Sequence, residues 1–337
     1  MVRKEIITIL AVVMLCGAGN VEAIPVGYYI TDLGTLGEDP ESKAFGINDY
    51  GQVVGYSGMV LGPEEGRRAF LWDSMNGMQN LGTLGGNHSE AYGINNAGQV
   101  VGRSTLPSGE GDVRGFIWQN GSISNLGTLA GGWTEAHGIN NSGEVVGYSV
   151  LSSSVTAFLW KNGSMSNLES LTGNSRGYAI NDEEQIVGHV NSIAFMWEDG
   201  TITSLGTLGG SYSFAWDISN WGWIVGESGV SGSPSHAFLW IDGVMTDLGE
   251  GIAEAINERG QVVGSFGLWE NGVTTPLLDL LSDSGGWYDL YGRGINNLGQ
   301  IVGEGYINGR VHAFLMTPEP ATFLMLGIGG LMLRKRK

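Results

Sequence analysis

The stretch Gly93-Ile94-Asn95-Asn96-Ala97-Gly98-Gln99-Val100-Val101-Gly102 decides how the chain folds, because variants of it recur seven times, centred on Ile47, Ile94, Ile139, Ile180, Ile218, Ile256 and Ile295. Successive centres lie 47, 45, 41, 38, 38 and 39 residues apart. A period of this size marks a solenoid, an array or a propeller. Each copy runs apolar residue, Asn, two free positions, Gly, which is the order of a type I turn joining two short strands. Glu184 replaces the Gly in the fourth copy and Ser219 replaces the Asn in the fifth.

Downstream of each turn comes an apolar run, as in Ala69-Phe70-Leu71-Trp72, Ala157-Phe158-Leu159-Trp160 and Ala313-Phe314-Leu315-Met316. After the first six runs an Asn-Gly or Asp-Gly pair predicts a tight hairpin into a fourth strand. The seventh run has no such continuation, and the missing strand stands at the other end of the chain, at Ile30 to Leu36. The expected fold is therefore all-β: a seven-bladed β-propeller of four-stranded antiparallel blades over residues 24–316, closed by an N-terminal strand joining the last blade. A β-solenoid built from the same repeats is the rival, and it needs no strand from the far terminus. Runs apolar on successive residues predict strands covered on both faces, with Trp160 buried between blades.

Residues 1–23 read as a secretory signal: a basic start at Arg3-Lys4, an apolar stretch of ten from Ile6 to Leu15, and a cleavage site at Ala23. Cys16 is the only cysteine, so a mature chain has no disulfide and no thiolate chemistry. The net charge of −18 repels phosphate backbones, which argues against nucleic acid as a partner. At the other end Pro318-Glu319-Pro320 precedes an apolar segment, residues 321–333, and the basic tail Arg334, Lys335, Arg336 and Lys337. That segment is short for a stable span and suits transient membrane insertion.

If strands alternate up and down, the Asn-x-x-Gly and Asn-Gly turns share one face of the disc and the long, variable connections share the other. That second face is where a ligand is expected. Its candidate ligand-face residues are Trp133, Tyr212, Asp283, Trp287, Tyr288 and Asp289, since aromatic faces beside carboxylates suit sugar rings. The same acids are weak candidates for Ca²⁺, but no calcium-loop pattern is present, and no catalytic or metal-ligating set stands out. His236 and His312 occupy equivalent repeat positions and read as strand-edge sites, and His88, His137 and His189 lack metal-ligand spacing.

Two resemblances follow from these residues. Pro318-Glu319-Pro320, the apolar segment and the Arg-Lys-Arg-Lys tail resemble the PEP-CTERM sorting signal, which implies processing by an exosortase in a Gram-negative bacterium that makes exopolysaccharide. The body, residues 28–316, is similar to the probable extracellular HAF repeat family, on His236-Ala237-Phe238, His312-Ala313-Phe314, the Leu-Gly-Thr-Leu-Gly-Gly stretches at 81–86 and 205–210, and the Gly-Ile-Asn-Asn units. That resemblance implies an extracellular location and no shared catalytic residues. The expectation is an exported cell-envelope or extracellular module, non-catalytic, for binding or structure and associated with exopolysaccharide. The alternative is a glycan hydrolase or lyase on the same scaffold.

Overall fold

The computed structural model describes residues 27–59, 66–107, 109–129, 131–150, 154–168 and 171–319. The signal segment with Ala23, the 321–333 stretch, and Pro320, Arg334, Lys335, Arg336 and Lys337 lie outside them. Seven separate four-stranded antiparallel sheets make up the fold. Among the described residues the helical content is one 3-10 turn, Leu277–Leu280.

Six sheets are meanders of consecutive strands. The first runs from axis to rim as Ser42–Ile47, Val53–Ser57, Arg68–Asp73 and Gly77–Asn80. The seventh takes Tyr288–Ile295, Ile301–Ile307 and Arg310–Pro318 from one end of the chain and Tyr28–Asp32 from the other. Tyr28 pairs with Pro318 and Asp32 with Phe314. The Leu33 N–H continues the ladder to the Ala313 carbonyl at 3.0 Å, and the Tyr28 hydroxyl donates to the Gly299 carbonyl at 3.2 Å. The protein is a closed seven-bladed propeller, not a solenoid.

Packing between blades corrects one expectation. Phe70, Phe116, Phe158, Phe195, Phe238 and Phe314 are each 0% exposed, whereas Trp160 is only half-buried. The two rings share a strand face, but Trp160 stands nearer the hairpin turn, at the margin of the layer. In the sixth blade Gly267, facing Gly264, takes the phenylalanine place.

The Gly of Gln-Val-Val-Gly also has a physical reason. Each innermost strand carries a bulge, as between Ala44 and Gly46. The bulge turns the Lys43 carbonyl towards the second strand, so a methyl group at Gly55 would overlap it. Gly102, Gly147, Gly188, Gly226, Gly264 and Gly303 face the same carbonyl in their own blades. Blades are stitched at the start of the innermost strand. There Ser42, Ser89, Thr134, Ser175 and Ser213 accept a backbone N–H from the preceding blade at 2.8–3.0 Å.

Candidate functional site

The innermost strands line an axial channel whose two ends differ in chemistry. At the end carrying the Ile-Asn turns, polar groups bond to one another from blade to blade. The backbone N–H of each second turn residue donates to the side-chain oxygen of its counterpart in the next blade: Asp49 to Asn96, Asn96 to Asn141, Asn141 to Asp182, Asp182 to Asn220, Asn220 to Glu258, Glu258 to Asn297 and Asn297 back to Asp49, all at 2.8–3.0 Å. Beneath it, the side-chain amides of Asn48, Asn95, Asn140, Asn181, Asn257 and Asn296 reach the next blade's backbone carbonyl at 2.9–3.2 Å. Ser219 has no amide to offer, so the second ring misses one link there. The turn asparagines therefore hold neighbouring blades together, a role beyond shaping their own turns. Where Asp49, Asp182 and Glu258 crowd this mouth, burial and then the two aspartate charges raise the Glu258 carboxyl.

Midway along the channel the bulged residues of neighbouring blades meet. Phe45 lies 5.6 Å from Tyr92, Tyr92 stacks on His137 at 4.8 Å, His137 meets Tyr178 at 5.4 Å, and Tyr178 meets Trp216 at 4.5 Å. Glu254 and Arg293 hold the same place in the last two blades and form an ion pair of 3.0 Å, and the Arg293 guanidinium lies 5.7 Å from the centre of the Phe45 ring.

Below this layer, towards the face of the variable connections, lie buried ions. Glu90 bonds Arg67 at 2.6 Å, Arg103 at 3.1 Å and His88 at 3.1 Å, and Arg103 continues to Glu135 at 2.7 Å. The hydroxyls of Tyr92 and Tyr148 donate to Glu90 and Glu135 at 2.5 and 2.7 Å. Burial opposes ionisation of both carboxyls. The surrounding hydrogen bonds and the Arg103 charge outweigh it, holding Glu135 at about 2 and Glu90 well below the usual carboxylate range. A second network joins Glu304 to Lys43 at 3.6 Å and to Arg293 at 2.8 Å. Glu254 and Glu227 move the other way: burial raises both.

Among the described residues, five of the six buried polar atoms without a partner lie on this side of the ring, Nε of Arg67, Arg103 and Arg176, Oγ of Ser149 and Nδ1 of His189, and the sixth is Nε1 of Trp216 in the aromatic layer. A cavity of about 250 Å³ opens here, lined by Val155, Asn174, Arg176, His189, Asn191 and Ser192. Among the described residues no group of three or more metal-ligating side chains is arranged for an ion.

The ligand-face candidates divide. Trp133 starts an innermost strand and meets Tyr148 edge-on at 6.0 Å, and Tyr212 packs on Phe214 at 5.4 Å, so both stand at the channel mouth. Trp287, by contrast, is 5% exposed and packs edge-on against Phe314, which makes it core. Tyr288 is exposed and stacks on Tyr306 at 5.2 Å. Asp283 accepts the Gly285 N–H at 2.9 Å in a loop tied to the rim of the last blade, where the Ser282 hydroxyl donates to Glu319 at 2.5 Å. Asp289 is exposed, with φ of 50°. His236 and His312 each face an aspartate on the neighbouring outer strand, Asp247 at 2.9 Å and Asp32 at 3.0 Å.

The sequence matches no protein-family profile and no curated protein. Solved structures share its shape. TolB from Acinetobacter baumannii superposes with a TM-score of 0.50 at 10% identity, over 80% of this chain and 64% of TolB. The β-propeller domain of the Trilobed protease from Pyrococcus furiosus gives 0.49 at 9% identity over 87% and 94% of the two chains. An acylaminoacyl peptidase from Pyrococcus horikoshii gives 0.48 at 11% identity over 87% and 54%. At 10% identity the likeness to TolB is one of architecture alone.

Proposed function

We propose that the protein is an exported, non-catalytic binding propeller of the cell envelope or extracellular space, which takes its ligand at the channel mouth on the face of the variable connections. One observation carries this reading. Hydrogen bonding is nearly closed on itself at the Ile-Asn end, whereas five buried polar atoms without partners collect towards the opposite mouth. Buried donors and acceptors left unmade are costly, so such a concentration marks a surface that a partner completes. The carboxylates Glu90 and Glu135 are engaged by arginine and held ionised, which suits a rigid wall better than an acid and base that exchange protons.

Location rests on the terminal sequences. A signal segment ending at Ala23 and a Pro318-Glu319-Pro320 sorting segment imply export and an exosortase-type processing enzyme, with an exopolysaccharide as the surface component to test first. A glycan-active enzyme is the second reading, favoured by Glu227, which has no arginine partner among the described residues and whose carboxyl burial raises. Incubating purified protein with a panel of neutral and acidic polysaccharides separates the two. Retention without shortening of the chains supports binding, depolymerisation overturns it, and no retention of any polymer removes the glycan partner. The mature mass and cellular fraction test export and processing.

A further inference from the structure

We propose that the cavity in the fourth blade is a carboxylate-binding site, with Arg176 as the fork that receives the anion and His189 and Asn174 as its polar flank. The inference deepens the binding reading and rests on it.

Four arginines line this part of the channel, and three have carboxylates of their own: Arg67 with Glu90, Arg103 with Glu90 and Glu135, and Arg293 with Glu254 and Glu304. Arg176 makes no ion pair among the described residues, and its Nε is buried without a partner. The side chain is held by its neighbours, with a side-chain hydrogen bond to Tyr178, the guanidinium 5.0 Å from the centre of the Tyr148 ring and its strand position paired with His189. In a chain with 34 acidic residues against 16 basic ones, a guanidinium that faces a cavity and has no carboxylate beside it among the described residues is placed to receive an acid from outside the fold.

His189 is the second, independent sign. It is 8% exposed, lines the same cavity, and its Nδ1 has no partner. Phe214 covers its ring from the next blade at 4.6 Å. Burial, and then the Arg176 charge, lowers the imidazole to about 4, so near neutral pH it is an uncharged donor or acceptor. At Asn174 the Val155 N–H occupies the side-chain oxygen at 2.9 Å, which leaves the NH₂ end for a ligand. The polar set thus offers one positive charge, a planar two-pronged donor and neutral hydrogen-bonding groups. That matches a carboxylate monoanion better than a dianionic phosphate. The volume, below the ~300–1,000 Å³ of sites for drug-sized ligands, fits one sugar-sized ring. The carboxylate can come from a free small acid or from a uronate residue of a polymer.

The test is calorimetric titration of the purified protein with galacturonate, polygalacturonate, glucose and inorganic phosphate, repeated on Arg176→Gln and Asn191→Asp. Asn191 sits at φ of 48° on the cavity rim, a conformation that Asp also tolerates, so its variant adds a repelling charge without backbone strain, at the cost of the exposed bond from the Asn191 amide to the Thr172 carbonyl. Thermal melts confirm that both variants fold. The expected result is uronate binding that weakens ~10–100-fold in each variant, with no glucose binding. Binding of both the free acid and the polymer makes a small acid sufficient, and binding of the polymer alone identifies the chain-borne source. Uronate affinity unchanged in Arg176→Gln, or phosphate preferred to uronate, overturns the site. Retention of neutral polysaccharides without any uronate binding overturns it while leaving the binding reading intact, and a protein that binds nothing in either assay overturns both.

Discussion

Replacing Asp217 by Asn tests the electrostatics of the channel through the pH dependence of folding. Asp217 stands where Gly46, Gly93, Gly138 and Gly294 stand in other innermost strands, and its two oxygens accept the N–H of Ile218 and of Ile256 in the next blade, each at 2.9 Å. Burial pushes the carboxyl up to about 7 despite those two donors. A carboxyl raised in the folded state holds its proton more tightly there than in the unfolded chain. Its stabilising contribution is full below the ordinary value of 3.8 and is lost as pH rises through about 7. The loss is ~1.4 kcal/mol per pH unit, and at most about 4 kcal/mol across the interval, less whatever water in the channel mouth screens. Asn stays neutral at every pH and turns one donor towards an N–H, which adds a cost that does not vary with pH. Urea unfolding followed by tryptophan fluorescence at pH ~4.5, ~6 and ~8 isolates the slope. The variant should gain on the parent protein as pH rises and level off above ~7. A difference that is flat, or that runs the other way, refutes the placement of a protonated carboxyl between these blades.

Three further outcomes are expected. Phe158→Ala should cost ~3–5 kcal/mol in chemical denaturation and Trp160→Ala less than half as much, since only the first ring is fully buried; equal losses would put both rings in the same layer. Gly147→Ala, which drives a methyl group into the Glu135 carbonyl, should destabilise by ~1–3 kcal/mol or more, and an unchanged melting temperature would show that the bulge is not rigid. Deleting residues 27–37 removes the closing strand with Tyr28 and Leu33, 4% and 5% exposed, and should abolish a single cooperative transition; a transition merely shifted by a degree or two would mean that the ring holds without closure.

Much of the architecture was legible because it repeats. The Ile-Asn turns, the apolar third strands and the displaced seventh partner at Ile30 to Leu36 were enough to count blades and to shut the ring. The second duty of the asparagines was hidden, because Asn first in a turn and Asn bonding to the next turn leave the same mark in a sequence. Trp160 was placed too deep for a related reason: an apolar run shows that a strand is covered but not where along it the cover ends. The channel was the hardest part to read. Below the aromatic layer its lining comes from one position of each blade, occupied in turn by Lys43, Glu90, Glu135, Arg176, Phe214, Ile252 and Tyr291. Apart from the two glutamates the residue type changes from blade to blade there, so the repeat pattern carries no mark of the residues that give this propeller its own chemistry. A signal did exist: charged residues inside strands that are otherwise buried.

Pairing Tyr28–Asp32 with Arg310–Pro318 imposes an order on how the molecule is made. The propeller's first strand finds its partner only when the last blade has been synthesised, so closure of the ring requires every blade. Until then the growing stack of sheets has two raw margins, each able to add a strand from a neighbouring copy. Prematurely terminated chains should therefore associate with one another instead of settling into smaller rings.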